Sequence, residues 1–182
     1  MHEQADAVMA AARAAEPAAT RRVSEVATSV GARVDRLDSR FKSRESVLEK
    51  LNRFREPDSP YYRLRRFNDA LRYTLVADGD YWSTASQIVR EFSTDGFTVL
   101  RPPQRWRSNY KGLNLTIRGP DGFEFEVQVH TSASLRAAET THGPYERQRR
   151  LPRGSREYRD LERRQMEIWS AVPVPPVRLR VD

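Results

Sequence analysis

A mixed β-sheet with helices packed on it, in one α+β or α/β domain, is the architecture that the sequence predicts. Three observations carry this. The chain has 182 residues, 38% of them hydrophobic, which suits one compact core. Two alternating segments, Leu113 to Arg118 and Phe123 to His130, flank the turn "GPDG" and form a β-hairpin pattern. Around them, stretches of helical period alternate with short β-rich runs.

Each element follows in order. Residues 2–15 are alanine-rich and helical in pattern, with Pro17 expected to end them. A second helical pattern places Val23, Val26, Val30, Val34 and Leu37 near one face, so residues 1–37 are expected to be a helical extension. Ser43 is the expected N-cap of a helix whose apolar side is Val47, Leu48, Leu51 and Phe54. Residues 56–60, "EPDSP", suggest a loop, and Leu71 to Ala77 a strand. Tyr81 to Phe92 has Trp82, Ala85, Ile88, Val89 and Phe92 at helical spacing. Phe97 to Leu100 is a short strand, and residues 101–109, "RPPQRWRSN", an expected mobile loop.

In the hairpin, pairing core residue with core residue puts Asn114 on one face with Glu126 and Gln128. A helix from Ser134 is expected to break at Gly143–Pro144. The last helix, Ser155 to Ala171, turns Tyr158, Leu161, Gln165, Ile168 and Trp169 inward. The main domain is therefore expected over 38–171, with a proline-rich extended tail at 172–182.

Composition removes several function classes. With no cysteine, disulfides, thiolate metal sites and thiol nucleophiles are excluded. No apolar run approaches membrane-spanning length, and Glu3, Asp6 and Arg13 stand where a signal peptide would be apolar. The expectation is a soluble protein that acts in the cytoplasm of the producing or a target cell, without a membrane partner. Neither G-x-S-x-G nor a Rossmann glycine pattern occurs, and His130 and His142 lack the further ligands of a zinc site. The net charge of +7 favours polyanionic partners, and only Lys42, Lys50 and Lys111 among 32 basic residues are lysine.

Those rare lysines mark the first candidate site. Ser46 and Lys50 share a helix face, while Arg40 and Lys42 precede the helix and can fold over its start. Helix N–H groups, a guanidinium and two ammoniums would together suit a triphosphate. The competing reading is a solvated basic helix. Asp69 and Glu126, from separate strands, are the carboxylates that a magnesium ion bridging substrate phosphates needs, with Glu124 a rival on the same face. Tyr110, just before the hairpin, is either core or a platform for a base.

Together these segments resemble the synthetase domain of RelA/SpoT homologues, the alarmone pyrophosphokinases. "RFKSRESVLEK" is similar to their Arg-x-Lys-x3-Ser-x3-Lys donor motif, "DALRYT" to the metal-binding strand and "NYKGLNL" to the acceptor-base loop. "FEVQVHT" resembles their Glu-x-Gln-x-(Arg/His)-Thr strand, and "AETTHGPYE" the segment after it, so the likeness spans Arg36 to Arg149. It implies an α+β fold, a nucleotidyltransferase-like mixed sheet flanked by helices. It also implies that Arg40, Lys42, Ser46 and Lys50 grip the ATP donor, and that Asp69 and Glu126 are catalytic and hold Mg2+. Tyr110 would stack on the acceptor purine, with Asn114, Gln128 and His130 lining that side.

The implied reaction moves the β,γ-pyrophosphate of ATP to a ribose 3′-hydroxyl, making (p)ppApp or (p)ppGpp. Typical members carry a His in place of Asn114 within that loop, which tilts the expected acceptor from guanosine slightly toward adenosine. "DALRYT" and "YKGLN" look more like the toxic members, which implies a growth-inhibiting toxin with an immunity or antitoxin partner. Two alternatives accompany it. One is the same chemistry on the 3′ end of tRNA, motivated by basic clusters such as "RQRRLPRGSR". The other is a non-catalytic RNA- or partner-binding module.

Overall fold

A computed structural model describes residues 1–55, 67–100, 106 and 109–176. The loop expected at 56–60, most of the one at 101–109, and the tail beyond 176 lie outside the described residues. The element order is α1 (His2–Ser29), β1 (Arg33–Asp35), α2 (Arg44–Arg53), β2 (Arg72–Val76), α3 (Tyr81–Glu91), β3 (Thr98–Val99), β4 (Leu113–Arg118), β5 (Glu124–His130), α4 (Ser132–Gln148) and α5 (Arg156–Ser170). The strands form one mixed sheet in the order β1-β2-β5-β4-β3, antiparallel except for the parallel β2–β5 pair. This is the α+β mixed sheet flanked by helices that the motifs implied.

Alternation along the strands sorts the two faces. Tyr73 and Leu75, Leu113, Leu115 and Ile117, and Phe125, Val127 and Val129 are all buried in one core with α1 and α3. Tyr73, Phe92 and Phe97 meet the Phe125 ring edge-on at 5.8, 6.4 and 6.4 Å, a favourable aromatic geometry. Residues of the opposite parity make up the other face. On it Arg72 pairs with Glu126 and Thr74 with Gln128 across β2–β5, and Asn114 pairs with Gln128 and Thr116 with Glu126 across β4–β5. The hairpin register therefore matches the expectation from alternation alone.

Three expectations are corrected. Residues 2–29 are one helix, with Pro17 inside it. A mid-helix proline loses one hydrogen bond and costs about 3 kcal/mol, but the buried stripe Ala12, Ala15, Ala19, Val23 and Val26 runs straight through. Nor does the helical pattern continue to Val34 and Leu37. Gly31, at φ +67, turns the chain out of α1, the Ala32 N–H closes on the Ala27 carbonyl at 2.9 Å, and Val34 enters β1 while Leu37 enters a 3-10 turn. Likewise α4 continues through Gly143–Pro144, held by buried Thr141 and Gln148, the latter accepting a hydrogen bond from Gln165 of α5 at 2.9 Å.

Candidate active site

The site's floor is the polar face of β2, β5 and β4, and its basic end is built by α2. Ser43 caps α2 as expected, its hydroxyl accepting the Ser46 N–H at 3.2 Å and donating to the Ser46 hydroxyl at 3.1 Å. The chain just before α2 is sewn to the start of β2. The Lys42 N–H bonds the Ala70 carbonyl at 2.9 Å, the Arg72 N–H bonds that of Arg40 at 2.8 Å, and Phe41 bridges Leu71. The Glu126 N–H then bonds the Leu71 carbonyl at 3.0 Å, so one short stretch of backbone positions the donor motif and the central strand together.

Three predicted residues converge there. Lys42 Nζ donates to one oxygen of Asp69 at 3.0 Å and Lys50 Nζ to the other at 2.5 Å. Lys50 is buried, its ammonium 4.8 Å from the centroid of Phe67 and 5.8 Å from that of Phe54. Burial alone would raise the Asp69 carboxyl, but the charges and hydrogen bonds of Lys50 and Lys42 outweigh it and hold the group below the usual carboxylate range.

Glu126 has the opposite tuning. Burial, and after it the negative charge of Asp69, raise its carboxyl, against the opposing influence of Arg72 and a 2.6 Å hydrogen bond from Gln128 Nε2. Its rival Glu124 instead pairs with Arg118 at 3.0 Å, farther toward the turn. The charge of Asp69 thus reaches Glu126, and the two carboxylates are hard-oxygen donors of the kind that suits a divalent cation satisfied by one or two carboxylates. No cluster of three or more potential ligands occurs among the described residues.

The residues expected on the acceptor side form a second network. The Tyr110 hydroxyl donates to Asn114 Oδ1 at 2.6 Å and lies 3.1 Å from His130 Nε2. Nδ1 of His130 is 2.9 Å from the Ser134 hydroxyl in the first turn of α4. The Tyr110 ring packs edge-on against His130 at 5.5 Å and tilted against Trp169 of α5 at 5.4 Å. Burial, followed by the charge of Glu126, pushes the Tyr110 phenol well above its usual range. Gly112 is needed for this closure, because a Cβ there would stand 2.8 Å from His130 Cε1. Gln128 joins the two halves of the floor, bonded to Glu126 and paired with Asn114.

The structure separates Arg40 from this group: its guanidinium bonds Glu16 of α1 rather than Asp69. His142 is exposed on α4. Sequence reasoning missed Arg72, although its parity on β2 would have found it. It also missed Trp169 as a neighbour of Tyr110, and Lys111, whose ammonium holds the Val172 carbonyl at 2.6 Å beyond α5.

No protein-family model and no curated protein sequence matches the chain. Among solved structures, the Type VI effector Tas1, in complex with its immunity protein, aligns at a TM-score of 0.62 and 21% identity over 92% of this chain and 95% of that one. The small alarmone synthetase 1 from Bacillus subtilis, bound to its product pppGpp, aligns at 0.61 and 17% over 93% and 91%. The same enzyme bound to AMPCPP aligns at 0.53 and 18% over 92% and 95%. The chain has the fold of the small alarmone synthetases of the RelA/SpoT type.

Proposed function

We propose that this chain, built on that fold, is an ATP:nucleotide 3′-pyrophosphotransferase. One arrangement carries the reading: Lys42 and Lys50 converge on Asp69, three residues before β2, and the charge of Asp69 is felt by Glu126 on β5. Two ammoniums, with Ser46 at the start of α2, make a seat for the donor's phosphates. A basic carboxylate on the adjoining strand suits proton removal from an acceptor hydroxyl.

In the proposed reaction the triphosphate takes Lys42 and Lys50 from Asp69. The acceptor's 3′-oxygen bonds to the β-phosphorus while the bond from that phosphorus to the α,β-bridging oxygen breaks. AMP leaves with the electron pair, and the hydroxyl proton passes to Glu126, whose proton affinity burial and Asp69 have raised. The cations balance charge on the transferred group, so catalysis is mainly positioning and electrostatics. Asp69 and Glu126 are the residues that would hold magnesium, which when bound supplies Lewis-acid neutralisation of phosphate oxygens.

On the acceptor side, Asn114, Gln128 and His130 line the floor and Tyr110 supplies the aromatic wall, for a purine nucleotide with adenosine slightly favoured. Because Tas1 is described as an effector with an immunity protein, the reading extends to a growth-inhibiting toxin with a protein antagonist. The same chemistry on tRNA is a second reading, motivated by the exposed Arg147, Arg150, Arg153 and Arg156.

The test offers β,γ-labelled ATP and magnesium with ADP, GDP or tRNA in separate reactions. Label on a nucleotide supports the first reading and label on tRNA the second. Label left in ATP with every acceptor rejects both in favour of a non-catalytic binding module.

A further inference from the structure

Arg40 opens the donor motif, yet a residue of α1 holds its guanidinium. Nε donates to Glu16 Oε1 at 2.7 Å, Nη1 donates to the Leu37 carbonyl at 2.6 Å, and the guanidinium lies over the Phe41 ring, 5.1 Å from its centroid. Nη2 makes no hydrogen bond among the described residues. Glu16 Oε1 also receives the Thr20 hydroxyl at 2.6 Å, and Thr20 Oγ1 stands 2.7 Å from the Tyr73 hydroxyl. The single Thr20 proton goes to Glu16, so Tyr73 must donate to Thr20. The relay runs in one direction, from Tyr73 through Thr20 to Glu16, where Arg40 meets it.

Its far end is rigid, because Tyr73 is 1% exposed within the core of β2. Its near end is sheltered, the Glu16 and Arg40 side chains being 18% and 25% exposed. The Thr20 hydroxyl, and with it Arg40, keep the Glu16 carboxyl below its ordinary range, so it is ionised at neutral pH. A sheltered, charge-assisted contact of this kind fixes a planar guanidinium far better than an exposed ion pair does.

We propose that Glu16 is a positioning residue of the donor site: it sets the plane of Arg40 so that the unengaged edge meets the nucleotide's polyphosphate. This rests on the donor-site reading above, and it makes α1 a working part of that site. A second ion pair between α1 and α2 provides the control. Arg44 binds Asp6 through Nε at 2.7 Å and Nη2 at 3.1 Å, at exposed positions and with a residue that is not one of the donor-motif positions.

The experiment is steady-state kinetics on the full chain, with thermal melts to establish folding. Glu16→Ala is expected to raise the KM for ATP about tenfold, the worth of one charge-assisted hydrogen bond, with kcat and acceptor KM within about twofold. Thr20→Val should raise it less, and Thr20→Ser should restore it. Asp6→Asn should behave as wild type. An equal rise in Asp6→Asn, a parallel rise in acceptor KM, or an unchanged ATP KM in folded Glu16→Ala would overturn the proposal. If Glu16→Ala does not fold, Thr20→Val with its serine rescue decides. Should the wild type transfer no pyrophosphate, the functional reading fails by itself. Calorimetric AMPCPP binding then tests Glu16 in the same variants, a loss of about tenfold supporting the role and an unchanged affinity overturning it.

Discussion

His130 gives the site a signature that can be measured without any substrate. It is 1% exposed at the end of β5, between the Tyr110 hydroxyl and the Ser134 hydroxyl. Burial, assisted by the nearby Arg36 guanidinium, lowers its pKa from 6.5 to about 4. The unfolded chain therefore binds this proton near 6.5 and the folded chain only near 4, so stability rises with pH between those values. The contribution is fully present above the unfolded value and is lost as pH falls through the window. At about 1.4 kcal/mol per pH unit, the span amounts to about 3 kcal/mol. Glu126 has a raised value and contributes with the opposite sign, whereas Asp69 and Glu16 have lowered values and act below the ordinary carboxylate range. Subtracting a His130→Asn variant removes all of these. Urea unfolding of both proteins from about pH 4 to pH 7.5 should show their difference growing by about 3 kcal/mol, most of it before pH 6.5. A difference that does not change with pH would refute the buried neutral imidazole.

Three more outcomes can be checked on the same preparation. Glu126→Gln should leave the melting temperature within a few degrees of wild type, because it removes a carboxyl whose charged form desolvation and Asp69 disfavour, yet abolish label transfer; retained transfer would remove Glu126 from the mechanism. Gly112→Ala should cost about 1–3 kcal/mol in urea unfolding, since the new methyl would press on His130 Cε1 and Nδ1 at 2.8 and 3.0 Å, and no loss would show that the loop can yield. Trp169→Leu should raise acceptor KM without changing ATP KM, because Trp169 touches Tyr110 and not the lysine pair; a rise in both would mean that α5 supports the sheet as a whole.

What was legible in the sequence was local. Alternation in the hairpin placed Asn114, Glu126 and Gln128 on one face, and Ser43 signalled the start of α2, because both signals act within a few residues. Helix spacing put Ser46 and Lys50 on one face and left Lys42 before the helix, but Asp69, the partner that joins the two lysines, comes from another element, 27 residues beyond Lys42. Pro17 and Pro144 misled for one reason: a local preference against helix was outweighed by side chains buried along the same faces. That misreading hid the Glu16–Arg40 contact. With α1 ended at Pro17, Thr20 would have no fixed place beside Glu16, and the relay to Tyr73 could not be foreseen.

Of the basic groups proposed to take the donor, Lys42 and Lys50 are both held by Asp69, while Arg40 is held by Glu16 through one edge only. On the proposed reading, phosphate binding is an exchange of partners for the two lysines, and Arg40 keeps Glu16. Asp69 should oppose a bare triphosphate twice over, by repelling it and by occupying both ammoniums. The Asp69→Asn variant should therefore bind ATP more tightly than wild type when magnesium is chelated, while losing pyrophosphate transfer when magnesium is supplied. The variant leaves a buried Lys50 without its carboxylate, which lowers stability by about 3–5 kcal/mol, so the comparison belongs well below its melting temperature. Calorimetry in EDTA gives the sign directly. Weaker or unchanged ATP binding by folded Asp69→Asn would mean that the lysines are not released to the phosphates, and that the nucleotide docks elsewhere on the sheet.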